Sequence, residues 1–246
     1  MLKKEYLKQL NVPYAHRGLH AKPEIPENSM AAFKRAVEEG FGIEMDVHLT
    51  KDHKLAIIHD SSLKRTAGVD LDIEKITLEE AKQYPLEASD ERICEFKEFL
   101  EMVDGKVPLL IELKSVGGND HELVARVMEE LKHYVGLYSI ESFYPFTLKE
   151  LRKDYKKVVR GQLAGHVGTE TEVSRFEDFM LRNLLVNAIS RPDYVAYRFE
   201  DREIKAFKNS KKAKFCWTIR NYEDYKTCLA NGWAPIFERF NPKDYK

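Results

Sequence analysis

The sequence predicts an α/β protein built as a TIM (β/α)8 barrel with a small helical insertion after the second strand. Three observations carry that expectation. Eight β-rich runs alternate with helix-patterned segments, the 246 residues suit eight such units, and no repeat or low-complexity linker interrupts the succession. The same alternation also allows a doubly wound open sheet, which is the alternative arrangement.

The strand-like runs are VPYA (12–15), FGIEMDVHL (41–49), VPLLIEL (107–113), LYSIESF (137–143), KVVRGQLA (157–164), YVAYRF (194–199), KFCWTI (214–219) and APIFE (234–238). Between the first two, Met30, Phe33 and Val37 recur at helical spacing, and Gly40 is placed to end that helix. Leu123, Val127 and Leu131 repeat the spacing after the third run. KLAIIHD (54–60) follows the second run across a polar K-D-H turn and reads as its hairpin partner. Residues 61–106 are longer than a barrel connection needs, and TLEEAKQY and FKEFLEMV within them predict the insertion. The run KNSKKAK (208–214) reads as a solvated helix end. Only RFNPKDYK follows the last run, so LKKEYLKQL at the N-terminus is expected to close the bottom of the barrel. The expected organisation is one domain over residues 1–246.

Composition narrows the class. Forty basic residues nearly cancel forty-one acidic ones, so no global field draws the chain to nucleic acid or an anionic membrane. Cys94, Cys216 and Cys228 are odd in number and form no C-x-x-C pair, which argues against a disulfide framework or a thiolate zinc site. The first residues lack a secretory pattern, and no apolar run approaches the roughly 18 residues of a membrane span. The expectation is therefore a soluble cytoplasmic protein without stable membrane insertion; the oligomeric state is left open.

Active sites of this barrel form where strand C-termini converge, and His16 and Arg17 fall there. Glu44 and Asp46 are two residues apart in one strand, so their carboxylates share a face, and Glu112 and Lys114 repeat that geometry in the next barrel strand. Three carboxylates in a small volume repel one another unless a cation sits among them, and oxygen ligands suit Mg²⁺ or Ca²⁺. His59, beside Asp60, reaches the same end and supplies a second imidazole for acid–base work near neutral pH. Taken singly, each of these residues reads more readily as surface or capping. Their coincidence at one end of the barrel carries the functional reading. Asn28 is expected to cap the helix that begins at Met30, and Glu27 is either a supporting residue or a favourable charge near the helix dipole.

The motifs HRG with PEN, IEMDVHLTKD, HD with LKRT, and IELK resemble those of the glycerophosphodiester phosphodiesterases. The match is dense over residues 14–66, extends through Glu112 and Lys114, and is looser at ESF (141–143) and WTI (217–219). The resemblance implies a TIM barrel that hydrolyses small glycerophosphodiesters to glycerol 3-phosphate and an alcohol with a divalent cation. It implies His16 and His59 as general acid and base, Glu44, Asp46 and Glu112 as metal ligands, and Arg17 and Lys114 as phosphate ligands. Phe143 and Trp217 correspond to aromatic positions that line the family's pocket. RICEFKEFL stands where an I-P-T-L-like stretch is usual, and GWAPIFERFNP replaces a G-x-D-G-I-I-T-D-x-P pattern. These departures bear on substrate choice more than on the reaction. Two other functions compete: a lysophospholipase D-like activity, which needs an apolar mouth, and a sensor that binds phosphodiesters without cleaving them. Retention of every histidine and carboxylate of the set favours turnover.

Overall fold

The computed structural model describes residues 3–167 and 174–245. In chain order the elements are α1 (Lys3–Gln9), β1 (Tyr14–Ala15), α2 (Met30–Glu38), β2 (Gly42–Leu49), β3 (Leu55–Ile57), α3 (Lys64–Ala67), α4 (Leu78–Ala81), β4 (Cys94–Glu95), α5 (Phe96–Val103), β5 (Leu109–Leu113) and α6 (Asp120–Glu130). They continue with β6 (Tyr138–Ser142), α7 (Pro145–Asp154), β7 (Arg160–Ala164), α8 (Arg175–Arg182), α9 (Asn187–Ser190), β8 (Tyr194–Arg198), α10 (Lys205–Asn209), β9 (Ala213–Ile219), α11 (Tyr222–Ala230) and β10 (Ala234–Phe237). Two compact units are distinguished, one of Tyr14–Tyr138 and one of Met1–Pro13 with Ser139–Lys246. The fold is a TIM (β/α)8 barrel, whose eight parallel strands are β1, β2, β5 and β6 to β10.

In the unit from Tyr14 to Tyr138, β2 is buried along its whole length, as a parallel strand covered on both faces must be. It pairs in parallel with β1 (Tyr14 opposite Gly42) and with β5 (Asp46 opposite Glu112). Ile43, Met45 and Val47 alternate with Glu44, Asp46 and His48, so one face of β2 is apolar and the other carries every charge. Helix α2 packs on β2 and meets α5, with the rings of Phe33 and Phe99 edge to face at 4.6 Å. Its N-cap is Ser29, whose Oγ accepts from the Ala32 N–H (3.2 Å), and Gly40 follows its end at φ +67°. Asn28, expected to be that cap, instead lies one residue outside, in the left-handed region at φ +54°.

The expected hairpin is present: β3 runs antiparallel to β2, with Val47 opposite Ile57. A two-residue strand not anticipated from the sequence, β4, pairs with β3. Beyond the hairpin, Ile58, Leu63, Ile73, Leu78, Ala81, Leu86 and Ile93 form a small apolar core of their own. FKEFLEMV, expected within the insertion, forms α5 and packs on α2, so the separate core stops at Ile93.

In the other unit, β6, β7, β8, β9 and β10 are paired in parallel in that order. Gly161 lets the Tyr194 ring cross β7, because a Cβ at that position would lie 2.2 Å from ring carbons. The Tyr194 hydroxyl then donates to Glu141 Oε2 (2.7 Å) and lies 2.9 Å from Ser139 Oγ. Lys3 of α1 donates to the Val158 carbonyl (3.1 Å) and to Asp193 Oδ2 (2.9 Å). Those residues precede β7 and β8, so α1 sits at the N-terminal end of these strands, the bottom position expected for it. All three cysteines are buried free thiols. Among the described residues, no helix is long and apolar enough to cross a membrane.

Candidate active site

Strand geometry alone brings most of the charged side chains together. Glu44 and Asp46 project from the polar face of β2, and Glu112 projects from β5 in register with Asp46. One carboxylate oxygen from each lies within 4.8 Å of the others, and all three residues are buried. Lys114, the residue after β5, places Nζ 2.6 Å from Glu112 Oε1 and 3.0 Å from Asp46 Oδ1. His16 follows β1 directly, with Nε2 3.9 Å from Glu44 Oε2.

Arg17 is bound to this cluster by backbone and side chain alike. Its N–H donates to Glu44 Oε2 (2.9 Å), Nη1 donates to Glu27 Oε1 (2.8 Å), and Nε lies 3.5 Å from Asp46 Oδ2. The Asn28 N–H donates to the Arg17 carbonyl (2.9 Å), while its Nδ2 donates to Asp46 Oδ2 (2.8 Å). Asn28 is thus a partner of the carboxylate cluster and not a helix cap. Its neighbour Ser29 is an equally good capping residue, so the N-S pair within P-E-N-S contained the signal that only one of the two is needed for the helix. The positive φ of Arg17 and of Asn28 closes the loop on itself.

His59 lies two residues beyond β3. Its Nδ1–H donates to Asp60 Oδ1 (2.6 Å), which leaves Nε2 as the acceptor nitrogen. The His59 carbonyl accepts from Nε2 of His48 (3.1 Å), and His48 Nδ1 is 2.6 Å from Glu74 Oε1. Arg65 of α3 donates from Nε to Asp60 Oδ2 (2.5 Å) and from Nη2 to Glu27 Oε1 (2.6 Å). Lys22 forms an ion pair with Glu27. Arg65, His48 and Glu74 escaped the sequence reading, although Arg65 belongs to the LKRT motif noted there.

The electrostatics follow from burial and neighbours. Burial pushes Glu112 up to about 7, the adjacent charge of Asp46 adding to it and Lys114 opposing it. Burial works against the charge of Asp46 as well, but Lys114, Arg17 and a hydrogen bond from Asn28 hold its carboxyl well below the usual range. Desolvation opposes the Lys114 ammonium, which Asp46 and Glu112 nonetheless keep charged beyond the ordinary lysine value. His59 is pulled down to about 4, first by burial and then by Lys114, against the favourable pull of Asp46 and Asp60.

The donor set fits a hard divalent cation. It consists of three carboxylates within reach of one another, and beside them Asn28 Oδ1 is a buried oxygen that accepts no hydrogen bond. Phe143 and Trp217, expected to line a pocket, belong to the other unit. There their rings meet edge to face at 5.5 Å and pack against Val167, Leu181 and Val186, and Trp217 Nε1–H donates to the Ala196 carbonyl (3.0 Å).

The sequence pattern of the glycerophosphoryl diester phosphodiesterase family matches residues 16–238. A glycerophosphodiester phosphodiesterase of Caldanaerobacter subterraneus is 31% identical over 232 residues, with 89% of each chain covered. Among solved structures, an Oleispira antarctica phosphodiesterase in complex with the product sn-glycerol-3-phosphate superposes with a TM-score of 0.76 at 22% identity, over 94% of both chains. A Thermotoga maritima glycerophosphodiester phosphodiesterase does so with a TM-score of 0.68 at 27% identity, over 92% of this chain and 94% of that one. The chain belongs to the glycerophosphoryl diester phosphodiesterase family, a class of phosphoric diester hydrolases.

Proposed function

We propose that this chain hydrolyses small glycerophosphodiesters to glycerol 3-phosphate and an alcohol, with a divalent cation held by Glu44, Asp46 and Glu112 and with His16 and His59 as the acid–base pair. The observation that carries the reading is the buried cluster of three carboxylates flanked by Arg17, Lys114 and His16. The product-bound Oleispira structure and the named relative support the substrate class.

A phosphodiester is anionic, and its negative oxygens repel an incoming nucleophile. A bound Mg²⁺ or Ca²⁺ would supply Lewis-acid neutralisation of one non-bridging oxygen. Arg17 offers a planar fork and Lys114 a compact charge for the other, both already turned towards the carboxylate cluster. Near neutral pH His59 is neutral, and with Nδ1 held by Asp60 its Nε2 is an acceptor for the attacking hydroxyl's proton. His16 is then the partner that returns a proton to the leaving alkoxide. Residues 1–246 are taken as one catalytic domain of the cytoplasm.

The test is release of glycerol 3-phosphate from glycerophosphocholine and glycerophosphoethanolamine, with Mg²⁺, with Ca²⁺ and with chelator. His16→Ala and His59→Ala are each expected to lower turnover by about 10²-fold or more in a folded protein. Near-normal rates in both variants, or full activity in chelator, would remove the mechanism; binding without turnover in any added ion would establish the sensor instead.

A further inference from the structure

We propose that Arg65 is a positioning residue for this hydrolysis, its guanidinium locking Asp60 onto Nδ1 of His59 while joining Asp60 to the Glu27 carboxylate that holds Arg17. The inference rests on the reading of His59 as a proton-transfer group. It gives a role to the LKRT segment, which neither the metal site nor the acid–base pair absorbs.

Both oxygens of Asp60 are engaged, Oδ1 by the His59 Nδ1–H (2.6 Å) and Oδ2 by Arg65 Nε (2.5 Å). Without the second bond the carboxylate rotates about its own axis and releases the imidazole. The His59 carbonyl is already fixed from behind by His48, so the orientation of the ring is the freedom that remains to be set. The other end of Arg65 shares Glu27 Oε1 with Arg17 Nη1. A planar guanidinium with divergent donors bridges two carboxylates at once, which an ammonium cannot reproduce. The Arg65 side chain is 43% exposed whereas that of Glu27 is 6% exposed, so replacing Arg65 removes two bonds to the site and little packing. Arg17 and Lys22 still hold the Glu27 carboxylate when Arg65 is replaced, so a large effect on turnover in a folded variant would report positioning.

Steady-state kinetics on glycerophosphocholine at saturating Mg²⁺ test this in Arg65→Ala, Arg65→Lys, Asp60→Asn and the double variant Arg65→Ala/Asp60→Asn. Arg65→Ala is expected to lower kcat by about 10- to 100-fold, the usual effect of losing an outer hydrogen-bond partner, with little change in KM. Arg65→Lys should restore part of kcat, and the double variant should lose no more than Asp60→Asn alone. Nitrogen chemical shifts of the imidazoles give a readout independent of turnover: His59 should be the Nδ1–H tautomer in the wild type and a tautomer mixture in Arg65→Ala. A wild type inert towards every glycerophosphodiester would sink the hydrolase reading, while the tautomer still decides the role of Arg65. Unchanged kcat and unchanged imidazole shifts in Arg65→Ala would overturn the inference. So would a raised KM at constant kcat, which marks a substrate contact, or losses that add in the double variant.

Discussion

Replacing Gly18 by alanine tests how the loop carrying Arg17 is seated on α2. Gly18 has φ +79°, and an added Cβ would lie 2.9 Å from Ala32 C, Ala32 Cβ and Phe33 Cδ1. Ala32 and Phe33 are fully buried, and α2 packs on β2 behind them, so the neighbours have nowhere to withdraw. The left-handed conformation costs an alanine about 1–2 kcal/mol. Forcing a methyl into a filled interior adds about 1–3 kcal/mol, for a total of about 2–5 kcal/mol. Gly68 provides the control: it has φ +73° but nothing within 4 Å of an added Cβ. Gly68→Ala should therefore show the conformational cost alone, about 1–2 kcal/mol. Urea unfolding of both variants, compared at equal m-value, isolates the contact as the difference between them. Gly18→Ala should also lose turnover, because the displaced loop takes the Arg17 N–H away from Glu44. Equal destabilisation by the two substitutions would refute the reasoning, since only Gly18 meets other atoms.

Two further outcomes follow from the charges. Burial disfavours the Glu27 carboxylate, but hydrogen bonds from Arg65 and Lys22 and the charge of Arg17 outweigh it and depress its pKa strongly below the ordinary 4.5. Because the folded value is the lower one, Glu27 contributes its stability in full above about pH 4.5 and loses it as the pH falls further. Glu27→Gln should therefore show a smaller drop in urea midpoint between pH 7 and pH 3 than the wild type, and an equal drop would contradict the assignment. Lys114→Met leaves Asp46 and Glu112 without the ammonium between them, which should cost about 3–5 kcal/mol in metal-free protein. Added Mg²⁺ should raise the Tm of this variant more than that of the wild type, as the ion replaces the missing charge. Identical Tm values in chelator would show that Lys114 does not neutralise the cluster.

The barrel was legible because its strands are β-rich runs punctuated by turns, and because two-residue spacing places Glu44 with Asp46 and Glu112 with Lys114 whatever the surrounding packing. What escaped was decided by tertiary context. Strand β4 has two residues and hence no side-chain period to read. FKEFLEMV announces a helix, but only its contact with α2 places it outside the insertion core. Asn28 and Ser29 are both good caps, and the choice between them lies in a backbone angle that frees Asn28 to meet Asp46. Arg65 stands in a short charged stretch that reads as surface, and its role emerges only when residues 27, 60 and 65 come together in space.

Isothermal titration calorimetry with Mg²⁺ and with Ca²⁺, on the wild type and on Glu44→Gln, Asp46→Asn and Glu112→Gln, tests most directly whether the three carboxylates form a cation site that serves hydrolysis. The account predicts one ion per chain in the wild type, with affinity and glycerophosphocholine turnover falling together in each variant. Stoichiometric binding that survives all three substitutions, or undiminished turnover in protein that binds neither ion, would contradict it.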